Sequence, residues 1–249
     1  MRIFKLLICL LIILILNLCC IVPCFAEESI YVWSPINSNA TNENTAAENT
    51  ITENIQTEET NSEVVDNNSL SLESGSAILI EQTTGQILYS HNIHEQLRPA
   101  SVTKVMSILL IMEALDSGRI TLSDSVPCSE NAASMGGSQI WLDPRETLTV
   151  DEMLKAICVN SANDCVVAMA EYIAGSEEAF VQMMNDKAKE LGMNDTTFKN
   201  CHGLDEDGHV TSAYDISLMS RELLNNHPSI TNYTTIWMDT LRDRKISAF

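Results

Sequence analysis

The chain has 249 residues, with 34 acidic and 14 basic side chains and a formal net charge of −20. This length allows one sizeable domain or two small ones. The excess of negative charge argues against nucleic acid or anionic lipid as a partner, because the phosphates of both attract basic surfaces.

The first 26 residues have the pattern of a secretory signal peptide. Arg2 and Lys5 form a positive start, residues 6–18 are an apolar run, and a small-residue cleavage site ends at Ala26. The run is too short to favour a stable membrane span, although an uncleaved anchor remains an alternative. We therefore expect an exported protein, either extracellular in the cell wall or at the outer face of the cytoplasmic membrane.

Residues 27–73 differ in composition from the rest of the chain. They are rich in Asn, Thr and Glu, and no Lys or Arg occurs between Lys5 and Arg98. Such a segment buries too little apolar surface to offset its ordering entropy, so we predict a disordered linker. It is either a tether for the domain that follows or a solvated tail without a task.

The globular part begins at Ser74 with a β-hairpin pattern. Two apolar runs between residues 77 and 90 flank a turn at residues 83–85. An apolar helix is predicted from Ser101 to about Gly118. No strand signal follows later in the chain, so this hairpin is the only sheet material that the pattern indicates.

The middle of the chain is predicted to be helical. Thr149 and Glu152 form a capping-box pattern at the start of one helix. Gly175 and Gly192 are typical stop residues for the next two. The further helical segments are residues 164–175, 176–193 and 212–226.

Eight cysteines occur in the chain, and four of them lie beyond the signal segment. No C-x-x-C spacing is present, which argues against a zinc site. Cys158 and Cys165 flank a candidate loop, so one disulfide remains an alternative. We expect buried free thiols instead at Cys128, Cys158, Cys165 and Cys201.

Ser101 and Lys104 form an S-x-x-K pattern at the head of the first helix. Positions i and i+3 share one helix face, so the two side chains should be neighbours. A serine hydroxyl needs a base before it acts as a nucleophile, and the positive end of the helix favours the developing alkoxide. The alternative is that Ser101 caps the helix and Lys104 is a solvated surface residue.

A second polar pattern lies between two predicted helices. Ser161 and Asn163 are two positions apart at this junction, where side chains can point into a cleft. Ser, Asn and Asp also cap helices, and Asp164 is adjacent, so capping is the alternative interpretation.

Three separated blocks of the chain resemble the low-molecular-weight penicillin-binding proteins, which are serine-type D-alanyl-D-alanine carboxypeptidases of the peptidase S11 type. The blocks are RPASVTKVMS, VNSANDCVVAMAEYIAG and NCHGLDEDGHVTSAYDISLMSRELL. S-x-x-K together with a Ser-x-Asn motif belongs to the signature of these enzymes and of related β-lactamases. The resemblance implies an α/β fold of the β-lactamase/transpeptidase type, a helical cluster plus an antiparallel sheet, with residues 74–249 as a partial catalytic domain.

The resemblance also implies a role for each motif residue. Ser101 would be the acyl-ester nucleophile and Lys104 its general base, with a pKa lowered by burial. Ser161 would relay a proton to the leaving D-alanine, and Asn163 would bind the substrate backbone. The backbone N–H of Ser101 would be one oxyanion donor.

The implied reaction is hydrolysis of the terminal D-Ala-D-Ala bond of peptidoglycan stem peptides during cell-wall maturation. β-Lactam antibiotics would inhibit it, and neither a cofactor nor a metal is implied. His202 and His209 are interpreted as structural residues. The oligomeric state stays open.

The chain departs from the family pattern in one respect. The third motif, K-T-G, is absent, and Lys245-Ile246-Ser247 echoes it without the glycine. We therefore expect a truncated product with an incomplete sheet and impaired activity.

Two other functions remain as alternatives. A serine β-lactamase would need a Glu in E-x-x-L-N, and the nearest match, at residues 222–225, is one residue short. A non-catalytic wall-binding or penicillin-sequestering remnant is the other.

Overall fold

The computed structural model describes residues 72–242 and the backbone of residues 244–247. The expected signal peptide (1–26) and nearly all of the expected linker (27–73) lie outside the described residues. The strands are β1 (Ala77–Ile80), β2 (Ile87–His91), β3 (Ser125–Pro127), β4 (Thr147–Thr149), β5 (Met238–Leu241) and β6 (Arg244–Ser247). The helices are α1 (Lys104–Asp116), α2 (Glu130–Ala133), α3 (Val150–Asn160), α4 (Asn163–Ala174), α5 (Glu177–Glu190), α6 (Ala213–Asn226) and α7 (Thr231–Thr234), with 3₁₀ turns at Ala100–Thr103 and Pro228–Ile230.

Helix α1 is the centre of the helical cluster. Its side chains are buried on almost every side, as expected of a helix that is apolar all round. Helices α4, α5 and α6 pack against it, and α3 packs against α4. The start of α1 therefore lies at a rigid position, because the rest of the helix is held by the core.

The predicted helix signals are confirmed. The Thr149 hydroxyl accepts a hydrogen bond from the Glu152 N–H at 3.2 Å, and the Glu152 carboxylate accepts one from the Thr149 N–H at 2.8 Å. Gly175 ends α4 with a φ of +86°, a left-handed conformation that glycine adopts without strain. α3 and α4 thus meet at a defined junction, where the Ser-x-Asn pattern lies.

The hairpin predicted at residues 77–90 is confirmed as the antiparallel pair β1–β2. The prediction that it would be the only sheet material is wrong. β3 pairs with β4 and β5 pairs with β6, each antiparallel, so the described residues form three separate two-stranded sheets.

The later strands escaped prediction for physical reasons. β3 and β4 are too short to show an alternation of apolar and polar residues. β5 and β6 are largely polar, and their turn contains Arg242 at a φ of +51°, where a turn signal would normally be glycine or asparagine.

All four cysteines of the described residues are free thiols. Cys128, Cys165 and Cys201 are buried and Cys158 is half-buried. No helix in residues 72–242 is both long enough and apolar enough to span a membrane.

Candidate active site

The structure brings the side chains of Ser101 and Lys104 together. Ser101 lies in the 3₁₀ turn that leads into α1, and Lys104 is the first residue of that helix. The Lys104 Nζ lies 3.3 Å from the Ser101 Oγ and donates a hydrogen bond of 2.7 Å to the carbonyl of His202. Ser101 is exposed, whereas Lys104 is only 3% exposed.

The alternative interpretation of this pair does not hold. Thr103 occupies the N-cap position of α1, and no side chain caps the helix there. Ser101 is therefore not a capping residue, and Lys104 is not a solvated surface residue. The two side chains meet at the boundary between solvent and core.

Burial lowers the pKa of Lys104 from its ordinary value of 10.5 to about 8, because the ammonium form loses its hydration. The nearby Cys201 thiol acts in the opposite direction. A lysine with this pKa is partly neutral near neutral pH, so its amine can accept a proton from the serine hydroxyl.

A close backbone contact fixes the turn that carries Ser101. Ala100 has a φ of +47°, an uncommon conformation for a residue with a side chain. Gly203 packs against it so tightly that a Cβ at residue 203 would lie 1.9 Å from the Ala100 carbonyl oxygen. The loop around Gly203 therefore holds both the turn and, through His202, the lysine.

The two histidines predicted to be structural are both engaged in local contacts. The His202 Nδ1 accepts a hydrogen bond from the Leu204 N–H at 3.1 Å. His209 lies between the Lys199 N–H, 2.9 Å from its Nδ1, and the Thr103 hydroxyl, 2.7 Å from its Nε2. Within the described residues, no group of His, Cys, Asp or Glu side chains could hold a metal ion.

Asn163 lines the same cavity as Ser101. The cavity has a volume of about 430 Å³ and is also lined by Gly137, Ser138 and Asp205. The Asn163 backbone N–H donates a 2.7 Å hydrogen bond to the Ser138 carbonyl. Its side-chain Nδ2 is 2.7 Å from the carbonyl of Gly136, and its buried Oδ1 has no partner within residues 72–242. The Asn163 side chain is thus held by the backbone of residues 136–138 on one side of the Ser101 cavity.

Of the four predicted site residues, Ser161 alone neither forms a hydrogen bond with another of them nor lines the Ser101 cavity. It ends α3 in a left-handed conformation with a φ of +53°. Its hydroxyl makes no hydrogen bond to Ser101 or Lys104, and it is not among the residues that line the cavity. The predicted role of Ser161 as a proton relay stays a prediction.

Asp164 has a structural role that the sequence pattern did not predict, since its position next to Asn163 indicated only a possible helix cap. The N-cap position of α4 is Ala162, without a side-chain hydrogen bond. The buried Asp164 carboxylate accepts hydrogen bonds from the N–H groups of Ile140, at 3.2 Å, and Leu142, at 3.0 Å. We call residues 136–142 the wall segment, because it carries one side of the cavity.

Residues 57–248 match the family model of the D-alanyl-D-alanine carboxypeptidases, Peptidase S11. The chain is 56% identical over 182 residues to D-alanyl-D-alanine carboxypeptidase DacF of Bacillus subtilis (strain 168), covering 73% of this chain and 46% of that protein. Its identity to DacD of Escherichia coli (strain K12) is 39% over 163 residues, covering 63% of this chain and 42% of that protein. The chain thus spans less than half the length of these curated relatives.

Solved structures show the same fold. Penicillin-binding protein 6B from Escherichia coli superposes with a TM-score of 0.68 at 35% identity, covering 72% of this chain and 58% of that one. Penicillin-binding protein D2 from Listeria monocytogenes, solved in an ampicillin-bound form, superposes with a TM-score of 0.64 at 27% identity. The match covers 72% of this chain and 73% of that one. The predicted α/β fold of the β-lactamase/transpeptidase type is confirmed.

Proposed function

The chain belongs to the D-alanyl-D-alanine carboxypeptidase family of serine peptidases, and from this we propose that it hydrolyses the terminal D-Ala-D-Ala bond of peptidoglycan stem peptides. The observation that carries the proposal is the pair formed by Ser101 and Lys104. An exposed hydroxyl lies 3.3 Å from a buried amine whose pKa is lowered to about 8. This combination supplies both a nucleophile and its base.

The reaction proceeds through an ester on Ser101. Its Oγ attacks the carbonyl carbon between the two D-alanines while its proton passes to the Lys104 Nζ. The C–N bond then breaks, and the leaving D-alanine takes a proton at its amine, with Ser161 as the proposed relay. Water hydrolyses the ester and releases the shortened peptide with a terminal carboxylate.

Two further groups are available to hold the substrate. The Ser101 backbone N–H has no hydrogen-bond partner within the described part of the chain, so it can donate to the oxyanion. Asn163 lines the cavity that contains Ser101 and is the proposed binding residue for the peptide backbone of the substrate. Ser101 and Asn163 line one cavity, which supports binding of a single peptide by both residues.

We also propose that β-lactams acylate Ser101. The relative from Listeria monocytogenes was solved with ampicillin bound and has the same fold, and in this chain the Lys104 Nζ lies 3.3 Å from the Ser101 Oγ. The β-lactamase alternative lacks support in the structure. Glu222 lies on α6 and is not among the residues lining the Ser101 cavity, so it does not offer a base for rapid deacylation.

The proposed substrate places the reaction outside the cytoplasmic membrane, where the stem peptides of the wall are cross-linked. Residues 1–26 have the composition of an export signal, which agrees with that location. We propose that the protein is exported and acts on the cell wall, and so on cell shape. Mass spectrometry of the N-terminus after secretion tests this, since cleavage after Ala26 is expected.

The decisive experiment is covalent labelling with a fluorescent penicillin, combined with D-alanine release from a pentapeptide. Wild-type protein should be labelled on Ser101, and Ser101→Ala should lose both labelling and D-alanine release. Ser123→Ala, which changes an exposed serine in the loop before β3, should behave as wild type. Labelling that persists in Ser101→Ala would refute the mechanism, and rapid release of hydrolysed penicillin would indicate a β-lactamase instead.

A further inference from the structure

The wall segment is held from two sides. On one side, the first residues of α4 bind its backbone, as the contacts of Asn163 and Asp164 show. On the other side, the Arg242 Nη2 donates a 2.6 Å hydrogen bond to the carbonyl of Ile140. The N–H of Ile140 binds Asp164 and its carbonyl binds Arg242, so both backbone polar groups of Ile140 are held by side chains. We call this pair of contacts the clamp.

Arg242 is itself firmly placed. Its Nη1 donates to both carboxylate oxygens of Glu146, at 2.9 and 2.7 Å. Its side chain is 24% exposed, and its residue occupies the turn between β5 and β6. One guanidinium therefore joins the turn between β5 and β6 to Ile140 in the wall segment and to Glu146 in the loop that follows it. These two contacts use two different nitrogens of one planar group, which lysine does not have.

The backbone between these contacts is in an unfavourable conformation. Trp141 has a φ of +56° although it is a bulky aromatic residue, and its side chain is 70% exposed. Its neighbours Ile140 and Leu142 are both buried and both bound through their backbones. Such a conformation persists only where the surrounding structure enforces it, so the two contacts of Ile140 hold the backbone at Trp141 in a strained conformation.

We propose that Arg242 is a positioning residue for the Ser101 site. By holding Ile140 opposite Asp164, it fixes the wall segment, whose carbonyls at residues 136 and 138 bind Asn163. Without the guanidinium the segment relaxes, and Asn163 loses the partners that orient its amide in the cavity. This inference rests on the proposed function of Ser101.

Lys104 should be insensitive to this change. Its amine is held by the carbonyl of His202, and its pKa is set chiefly by its own burial. Loss of the clamp should therefore slow acylation without moving the pH at which acylation is half-maximal. A general loss of folding would change both the acylation rate and the pH at which acylation is half-maximal.

The test is Arg242→Lys in the full chain, with Arg145→Lys as the matched control. Arg145 lies in the loop between the wall segment and β4 and is 89% exposed, and among the described residues its side chain pairs with Asp143 alone. We expect Arg242→Lys to slow labelling by a fluorescent penicillin about 10- to 100-fold, the size of effect that a misplacement near 1 Å produces. The pH midpoint should stay unchanged, and Arg145→Lys should match wild type.

Hydrogen exchange at the amides of Ile140 and Leu142 provides a readout that does not depend on activity. Both amides should exchange faster in Arg242→Lys and remain unchanged in Arg145→Lys. Glu146→Gln keeps the contact between Arg242 and Ile140, so it should slow labelling and speed amide exchange less than Arg242→Lys does. This variant tests the inference if Arg242→Lys does not fold.

The outcomes separate this inference from the proposed function. A wild-type chain that is not labelled contradicts the function of Ser101, while the exchange data still decide whether Arg242 holds the wall segment. Wild-type labelling rates and unchanged exchange in Arg242→Lys would overturn the positioning role.

Discussion

The two sides of the Ser101 cavity are built in different ways. On one side, the proposed nucleophile Ser101 and its proposed base Lys104 are three residues apart, and the helix that begins at Lys104 is buried in the core. On the other side, the wall segment is held by side chains from two remote parts of the chain, Asp164 and Arg242. The chemistry thus depends on local geometry, whereas the shape of the site depends on long-range polar contacts.

This difference makes the two sides separable by mutation. Changes at the Ser101 side should alter the chemical step and its pH dependence. Changes at the wall segment should alter the rate while the pH dependence stays as it is.

The largest effect is expected at Lys104. Lys104→Ala removes the only amine beside the Ser101 hydroxyl within the described residues, so acylation should fall by about 10²–10⁴, as is typical when a general base is lost. The rate of penicillin labelling measures this. Lys189→Ala, which changes an exposed lysine of α5, should have no effect. A Lys104→Ala protein that is labelled at the wild-type rate would show that Lys104 is not the base.

Gly203 should be the most sensitive position for stability near the site. In Gly203→Ala the new Cβ would lie 1.9 Å from the Ala100 carbonyl oxygen, and the φ of +93° is unfavourable as well. The conformational cost alone is about 1–2 kcal/mol, and the clash with backbone adds to it. We expect urea unfolding to show that the free energy of unfolding falls by clearly more than that range. Acylation should also be slower, because the turn that carries Ser101 must move.

Gly118→Ala is the matched control for this prediction. Gly118 also has a positive φ, +70°, but nothing lies within 4 Å of its would-be Cβ. The free energy of unfolding of Gly118→Ala should fall by only about 1–2 kcal/mol, and its acylation rate should equal that of wild type. Equal losses for the two variants would mean that the contact between Gly203 and Ala100 is not the source of the effect.

The same contrast explains how much the sequence could predict. Ser101 with Lys104, and Thr149 with Glu152, are three residues apart, so helical spacing alone indicates that each pair meets. Asp164 contacts Ile140 across 24 positions, and Arg242 contacts it across 102. No local periodicity encodes such contacts, so the wall segment was missed. The β5–β6 pair that carries Arg242 was missed too, because its strands are polar.

The pH dependence of acylation should follow Lys104. Its pKa of about 8 in the folded protein is below its ordinary value of 10.5, so the reactive neutral amine becomes more abundant as the pH rises. The labelling rate should therefore rise about tenfold per pH unit below pH 8 and level off above it. A profile that is flat between pH 6 and 8 would contradict this role of the lysine.

The same shift has a consequence for stability. Because the unfolded chain holds the Lys104 proton more tightly than the folded one, this group opposes folding below about pH 8, and its penalty disappears as the pH rises toward 10.5. The stability difference between Lys104→Met and wild type should therefore shift in favour of wild type over that interval. Urea unfolding at pH 7 and pH 10 measures the shift.

The smallest effect is expected at Thr149, which begins the helix that leads to Ser161. Its hydroxyl caps α3 by accepting a hydrogen bond from the Glu152 N–H, so Thr149→Ala should reduce the free energy of unfolding by about 1 kcal/mol. Thr149→Ser keeps a hydroxyl in the same place, so its free energy of unfolding should fall much less. Acylation by the folded protein should be unchanged in both variants, because the cap is at the opposite end of α3 from the junction that carries Asn163. A slower labelling rate in Thr149→Ala at full folding would show that the geometry of the junction depends on the whole of α3, and not on the contacts of Asn163 and Asp164 with the wall segment.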